Sequence, residues 1–437
     1  MITPRDAASR LRTLLHHLRS DGIVRNNAIF FVGNVGAGVF GYVYHFAVGR
    51  LLGPASYGVV ASAVAALYLL TLPSLVLQLV STRFTSVAVA HDDLRPVRPL
   101  LLRLTSINLV LGVTVAALLW SNGTVVAHYL QLTDRGVVTI LGLSTLLGLV
   151  LATNRGVLQG MRRFAALSGN LVIDTVGRVV VAVGLVLLGL GPAGAILGVL
   201  AGPLVAYVQT FLLLRRLPSG GGQAAISFGQ IARFATPAAA AVVGVTYLFN
   251  IDVLLAKHYL SPHDAGIYAA GAVLARVVYF LGLTIAAVMF PEVATLHARD
   301  QAHFHVVDLS LLFLSGVGAV LIAAYALLPG LVLLPYGSSF APLRPYLGAF
   351  ALALTLLALS NLLVNYFLSL DSRRFILPLL GACVLETLLI AAFHDGPGRI
   401  LQMLVLANFA LLTALGLLYL ADRWRRQPVP AREKLTV

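Results

Sequence analysis

Long apolar stretches separated by short polar segments run through almost the whole chain. A membrane-spanning helix needs about 20 mostly apolar residues, and twelve windows meet that requirement. They are 27–48, 59–82, 104–127, 137–159, 171–190, 193–214, 235–256, 267–290, 309–334, 346–370, 375–393 and 400–420. The pattern therefore predicts an all-α membrane protein with about twelve transmembrane helices.

The fifth and sixth windows are separated only by a short Gly/Pro segment from Gly189 to Gly194. Such residues favour a turn, so we expect two separate helices here. A single re-entrant pair of helices is the alternative.

The sequence also repeats itself at an offset of 208 residues. The identical pairs are Leu52/Leu260, Pro54/Pro262, Gly58/Gly266, Ile23/Ile231, Arg25/Arg233, Ala90/Ala298 and Asp92/Asp300. If each copy has six spans, the even number preserves its orientation in the membrane. The repeat therefore predicts two parallel six-helix lobes around a central cavity.

These patterns divide the chain into five segments. They are a cytoplasmic amphipathic or basic segment (1–26), an N-terminal six-helix lobe (27–214), a cytoplasmic linker (215–234), a C-terminal six-helix lobe (235–420) and a basic cytoplasmic tail (421–437). The first segment suits a helix on the anionic inner leaflet, and a disordered basic tail is the alternative. It lacks the features of a secretory signal, so we expect no cleaved leader.

Composition and charge agree with a membrane protein. The chain is 59% hydrophobic and 11% charged, whereas soluble proteins are about 25% charged. The net charge of +14 could indicate a nucleic-acid partner, but 23 of the 30 Lys and Arg residues fall in segments on one side of the predicted membrane. The predicted outer loops hold only Arg50, Arg135, Lys257, Arg344 and Arg399. This asymmetry predicts a multi-pass protein of the cytoplasmic membrane with both termini cytoplasmic, and no nucleic-acid partner.

Motifs for chemistry are sparse. The sequence has no GxxxxGK[ST] phosphate loop, and its one cysteine, Cys383, can form no intrachain disulfide. The histidines lack companion acids at metal-site spacing. We therefore expect no catalytic residues, no metal and no cofactor, and we expect that the protein is not an enzyme.

Charged residues inside predicted spans are costly, so they are the best pointers to function. Asp174 and Arg178 lie four apart on one helix face, which fits a structural pair, or a phosphate contact by Arg178 if a polar cavity borders it. Arg276 has no acid on its own helix, and Asp252 is its simplest partner, although Asp252 could also couple transport to an ion. Glu386 lies mid-span and should be protonated or paired, which makes it a candidate proton relay.

Two further arginines lie at the inner ends of predicted spans. Arg83 ends the second span and Arg155 ends the fourth. Long basic side chains at such positions ordinarily extend to the lipid headgroups.

Three stretches of the chain resemble a known family. They are GRLLGPASYGVVAS (49–62) with LVSTRF (79–84), NRGVLQGMRRF (154–164), and NIDVLLAKHYLSPHDAGIYAAG (250–271) with FPEVA (290–294). They are similar to the polysaccharide biosynthesis, or oligosaccharide flippase, branch of the multidrug/oligosaccharidyl-lipid/polysaccharide exporter superfamily.

The resemblance implies a two-lobe flippase or exporter that works by alternating access. Its substrate would be an isoprenyl-pyrophosphate-linked oligosaccharide, and its other partners would be membrane lipids and polysaccharide assembly proteins. By this analogy Arg178, Arg276 and Arg83 are candidates for binding the pyrophosphate.

Three other functions remain open from the sequence. A cation-coupled multidrug or metabolite antiporter of the same superfamily would use carboxylates such as Asp252 and Glu386. A membrane assembly factor without transport would have helix faces packed shut. A major facilitator fits the span count, but the loop from Arg83 to Arg103 lacks the expected Gly/Asp/Arg pattern.

Overall fold

The computed structural model describes residues 22–131, 135–218, 228–299 and 301–426, and within these residues the chain is helical without strands. The helices of the first half are α1 (Gly22–Leu70), α2 (Leu72–Ala90), α3 (Val97–Ser121), α4 (Gly123–Tyr129), α5 (Arg135–Gly160), α6 (Phe164–Leu185) and α7 (Gly191–Leu214). Those of the second half are α8 (Phe228–Leu248), α9 (Ile251–Tyr259), α10 (Pro262–Ala298), α11 (Phe304–Leu327), α12 (Pro329–Val332), α13 (Leu347–Ser369), α14 (Ile376–Ala392) and α15 (Pro397–Arg426). The all-α prediction is confirmed.

Ten helical stretches among the described residues are long and apolar enough to cross a membrane. Two of them, Val32–Leu70 with 39 residues and Phe164–Leu214 with 51, are longer than one crossing requires. The apolar helix Ile376–Ala392 is shorter than the others. The count of twelve spans therefore stays a prediction.

Glycine residues interrupt both long stretches. Gly53 has φ 71° and ψ 173° inside α1, and Pro54 follows it. Gly189 (φ 88°) and Gly191 (φ 54°) separate α6 from α7, across a π-helical turn at Val186–Leu190. A side chain at such positive φ is strained, which is why glycine occupies these bends. The Gly/Pro turn expected between the fifth and sixth spans is present.

The chain forms two compact units. Unit 1 consists of residues 1–52 and 66–235, and unit 2 of residues 53–65 and 236–437. The division into five segments stays a prediction, but residues 53–65, which it placed in the N-terminal lobe, pack in unit 2. Residues 1–21, 219–227 and 427–437, which include most of the predicted basic segment and tail, lie outside the described residues.

Unit 1 is organised around α5. This helix contacts α2, α3, α6 and α7. In its most apolar window, 61% of the residues are buried, against 22% in α2 and in α3. The outer helices therefore present most of their apolar surface outwards, as lipid-facing helices do.

Unit 2 is organised around α13. This helix contacts α10, α11 and α15. The stretch Ser338–Ser369, which contains α13, is 78% buried in its apolar window, against 17% for α11. Each unit thus has one buried central helix, and the two central helices begin 212 residues apart in the sequence.

The segment 53–65 enters unit 2 through the repeated motif. A Cβ atom placed on Gly58 would lie 3.1 Å from the Cα atom of Gly266, and one placed on Gly266 would overlap the carbonyl oxygen of Pro54. The hydroxyls of Tyr57 and Tyr336 are hydrogen-bonded at 2.9 Å in the same buried region. The glycines repeated at the 208-residue offset therefore allow two backbones to touch.

Candidate functional site

An acid–base cluster lies inside unit 1. The Nη2 atom of Arg155 donates to Oδ2 of Asp174 at 2.8 Å, and Nη2 of Arg178 donates to Oδ1 of the same carboxylate at 3.3 Å. Asp174 and Arg178 therefore do form an ion pair on α6. Arg155 of α5 shares the carboxylate, a contact that the hydropathy pattern does not indicate.

Polar side chains from neighbouring helices fix Arg155 in this position. Its Nε atom donates to the side-chain oxygen of Asn170 at 2.8 Å. The Asn170 amide in turn donates to the backbone oxygen of Ala206 and to the side-chain oxygen of Gln209, both at 2.8 Å. The cluster thus joins α5, α6 and α7, and an interhelical bond inside a membrane protein has no water to replace it.

Glycines on α7 let that helix approach the cluster closely. A Cβ atom on Gly202 would overlap the backbone oxygen of Asp174, and one on Gly198 would lie 2.7 Å from the backbone oxygen of Arg178. Small residues of this kind permit tight helix packing in membranes. This close packing of α6 and α7 fixes the position of the Asp174 backbone.

The cluster carries more positive than negative charge. Two guanidinium groups share one carboxylate, and the buried Nε atom of Arg178 has no hydrogen-bond partner among the described residues. The side chains of Arg155 and Arg178 are each 17% exposed, against 8% for Asp174. A buried donor without a partner is energetically unfavourable, so the cluster has the capacity to accept an anion.

Arg276, in unit 2, is held by uncharged groups. Its Nη2 atom donates to the backbone oxygen of Phe249 and to the side-chain oxygen of Asn250, both at 3.1 Å. The guanidinium also lies 4.5 Å from the centre of the Phe249 ring. The break between α8 and α9 at these two residues makes the carbonyl of Phe249 available as an acceptor.

Asp252 was expected to be the partner of Arg276, and the two groups interact electrostatically. One carboxylate oxygen of Asp252 accepts a hydrogen bond from the Tyr268 hydroxyl at 3.1 Å. Asp252 lies in the first turn of α9, where the helix dipole favours a negative charge. Arg276 and Asp252 do line one small cavity of about 10 Å³, which is about the space of one water molecule.

Glu386 is buried in α14, a helix that contacts α9. Neither of its carboxylate oxygens has a hydrogen-bond partner in the part of the chain that the structure describes. It interacts electrostatically with Asp252. A buried carboxylate without a partner is costly in its charged form, so this side chain is suited to hold a proton.

Arg83 was the third candidate for binding the pyrophosphate. It is exposed on α2, and the partners of Asp174 are Arg155 and Arg178 instead.

In the loop after α2, Arg95 donates to Asp93 at 2.9 Å, and this hydrogen bond holds the pKa of Asp93 below its ordinary value. Within the described ranges, no group of three or more His, Cys, Asp or Glu residues could hold a metal ion.

Two basic residues differ from the sequence-based interpretation. Arg155 was expected to extend to lipid headgroups, but it pairs inward with Asp174. Lys257 was counted in an outer loop, but it lies in α9 and is 1% exposed. Its ammonium group has no hydrogen-bond partner among the residues that the structure describes.

The sequence model of the family described as "polysaccharide biosynthesis protein" matches residues 47–345, which is more than half of the chain. No curated protein matches the chain in sequence.

Solved structures with a similar fold are transporters and a flippase. An inward-facing multidrug resistance MATE family transporter of the MOP superfamily has a TM-score of 0.72 at 13% identity, covering 88% of this chain and 94% of that one. The lipid II flippase MurJ, in an inward closed conformation, has a TM-score of 0.71 at 11% identity, covering 90% and 87%. The eukaryotic MATE transporter AtDTX14 has a TM-score of 0.62 at 15% identity, covering 93% and 100%. At these identities the similarity establishes the fold.

Proposed function

The chain belongs to the polysaccharide biosynthesis protein family, and on that premise we propose that it is a flippase or exporter of lipid-linked oligosaccharide. It would move an isoprenyl-pyrophosphate-linked glycan across the cytoplasmic membrane by alternating access. The observation that carries this proposal is the surplus of buried guanidinium groups over the carboxylates that contact them.

Unit 1 supports a pyrophosphate contact through Arg178. Because Arg155 also binds Asp174, Arg178 can release the carboxylate without leaving it unpaired. The planar guanidinium fork suits a phosphate oxygen pair. Arg178 is then the residue that contacts the substrate, and Arg155 is the residue that retains Asp174.

Unit 2 supports a second contact through Arg276. Its direct hydrogen-bond acceptors are neutral oxygens, so its positive charge is not cancelled by a bound carboxylate. Its cavity of about 10 Å³ is too small for a glycan lipid. The proposal therefore requires this site to open during the transport cycle. Arg83, which is exposed at the predicted inner end of α2, would be an entry contact.

The buried acids of unit 2 are candidates for coupling transport to an energy source. Asp252 and Glu386 lie on α9 and α14, which pack together, and both are nearly inaccessible to solvent. Two neighbouring carboxyl groups in a water-poor interior cannot both ionise at low cost. Exchange of a proton or another cation at this pair would couple transport to an ion gradient.

The test is a transport assay in cells that depend on this gene. Loss of the gene should make isoprenyl-linked glycan accumulate on the inner leaflet. Arg178→Ala and Arg276→Ala, each expressed at the level of the unaltered protein, should abolish export, because alanine removes the phosphate donor. Arg276→Lys should retain part of the activity, because lysine keeps the charge but loses the bidentate fork.

Unchanged glycan lipids and unchanged surface polysaccharide after gene deletion would contradict the flippase function. Full export by both alanine variants at normal expression would leave the function open but exclude these two residues as pyrophosphate contacts.

A cation-coupled antiporter for drugs or metabolites is the second candidate. It is favoured by the buried acids Asp252 and Glu386, since carboxylates attract cationic substrates. This alternative predicts proton-driven efflux of a cationic dye from vesicles that contain the purified protein. The efflux should be lost in Asp252→Asn and retained in Arg178→Ala.

A further inference from the structure

Unit 1 contains a second site that the proposed transport mechanism does not use. A cleft of about 450 Å³ lies where α3 ends, next to α4 and the beginning of α5. Its lining includes Trp120, Ser121, Gly123, Thr124, Gly136 and Thr139. Pockets for small molecules have volumes of about 300 to 1,000 Å³, so the cleft is large enough for a ligand.

Glycine residues bring α3 and α5 close together beside this cleft. A Cβ atom on Gly142 of α5 would lie 3.3 Å from the Cα atom of Ala116 of α3, and one on Gly112 would lie 2.9 Å from the Cα atom of Leu146. The two helices are therefore nearly in backbone contact for about one turn. The cleft lies beyond this crossing, at the end of the helices that the charge asymmetry predicts to face outwards.

The lining has the chemistry that an uncharged sugar requires. The indole of Trp120 is 76% exposed and offers a flat apolar face with a polar N–H. Ser121, Thr124 and Thr139 are exposed and bring hydroxyl groups, which both donate and accept hydrogen bonds. Among the residues that the structure describes, those that line the cleft are uncharged, which suits a neutral ligand.

We propose that this cleft is a binding site for an uncharged carbohydrate segment, with Trp120 stacking on the apolar face of a sugar ring and the three hydroxyls bonding its edge. The sugar could come from the headgroup of a transported glycan lipid or from a finished polysaccharide outside the membrane, since the chemistry is the same. The site goes beyond the proposed transport function, because sugar binding here does not require that the protein moves the sugar.

Sugar binding in the cleft can be measured directly by tryptophan fluorescence. The sequence has two tryptophans, Trp120 and Trp424, so Trp424→Phe leaves the cleft indole as the only fluorophore of its kind. The full chain in lipid nanodiscs is titrated with maltotriose, mannotriose and chitotriose. We expect a saturable change in Trp120 emission with at least one of these sugars.

Two matched variants test whether the cleft hydroxyls are responsible. Combined Thr124→Val and Thr139→Val should weaken that sugar's apparent affinity at least tenfold. Thr114→Val should leave the affinity unchanged, because Thr114 is exposed on the same helix as Trp120 but outside the cleft. Valine is isosteric with threonine and these positions are exposed, so we expect the variants to fold normally.

The result that overturns the proposal is the absence of a saturable response to all three sugars, or an equal response in the double variant. If Trp120 is also quenched by lipids spin-labelled near the headgroup and does not respond to sugar, it is an interfacial anchor and the site is rejected.

Flipping assays on the double variant separate the two sources of sugar. Reduced flipping together with lost binding identifies the transported glycan, and unchanged flipping with lost binding identifies the finished polysaccharide. Sugar binding by a protein that fails every flipping assay would reject the proposed function but uphold this site.

Discussion

At the scale of single residues, Asp174 is unusual because its carboxylate forms ion pairs with two arginines. Both guanidinium groups lie within 3.3 Å of its carboxylate, and all three side chains are largely buried. Neutralising one of these three side chains should therefore affect stability to a degree that depends on which side chain is changed. Loss of an arginine leaves a complete ion pair, whereas loss of the acid leaves two unpaired cations in contact.

We expect Asp174→Asn to destabilise the protein by about 3–5 kcal/mol, the usual cost of breaking a buried ion pair from one side. Arg178→Leu should have a much smaller effect, because Arg155 still neutralises the acid. Thermal unfolding followed by size-exclusion fluorescence in detergent measures both variants, with Arg399→Ala at an exposed position in the first turn of α15 as the control. Equal unfolding temperatures for Asp174→Asn and the unaltered protein would contradict this account.

At the scale of helices, the two central helices α5 and α13 are related but not equivalent. At the 208-residue offset of the repeat, Arg155 on α5 pairs with Leu363 on α13. Unit 1 therefore gathers its buried charges around an arginine, and unit 2 gathers acids on α9 and α14 instead.

The contact between segment 53–65 and α10 gives a prediction at this scale. Gly266→Ala should lower the unfolding temperature, because its Cβ atom would overlap the carbonyl of Pro54 and overpacking costs about 1–3 kcal/mol. Gly58→Ala should have a smaller effect of the same sign, since its nearest atom is 3.0 Å away.

The matched control for these variants is Gly316→Ala on α11. An alanine Cβ atom at that position meets nothing within 4 Å, so no loss of stability is expected. If Gly266→Ala and Gly316→Ala unfold at the same temperature, the backbone contact does not limit stability.

Sequence patterns predicted the helices better than the contacts between them. The Pro54 and Pro262 motif was visible because identical residues recur at a fixed offset. The inward pairing of Arg155 was not, because hydropathy positions a residue along one helix but carries no information about which neighbour it meets. The burial of Lys257 was not predicted for the same reason. A charged residue near the end of an apolar window is ordinarily assigned to the adjoining loop.

At the scale of the whole molecule, orientation in the membrane rests on the distribution of basic residues. Most Lys and Arg residues lie in segments predicted to face the cytoplasm, and the electrostatic preference for this side sets the topology of multi-pass proteins. The cleft at Trp120 and the exposed turn at Arg373 should then face opposite sides of the membrane.

Cysteine labelling tests this orientation, because Cys383 is the only native cysteine. In a Cys383→Ser background, Ser121→Cys should react with a membrane-impermeant maleimide in intact cells. Arg373→Cys should react only after the membrane is permeabilised. The reverse pattern would invert the predicted topology, and labelling of both sites in intact cells would indicate a leaky membrane and require repetition.

The assignment of residues 53–65 to unit 2 has a consequence for any attempt to divide the protein. A fragment that begins at Phe228 lacks this segment, including the Tyr57 hydroxyl that meets Tyr336. Such a fragment should be trapped in an incomplete, protease-sensitive state when produced alone, and should mature when the first half is co-expressed as a separate polypeptide. We therefore expect the second half to require residues 53–65 of the first half as an assembly component.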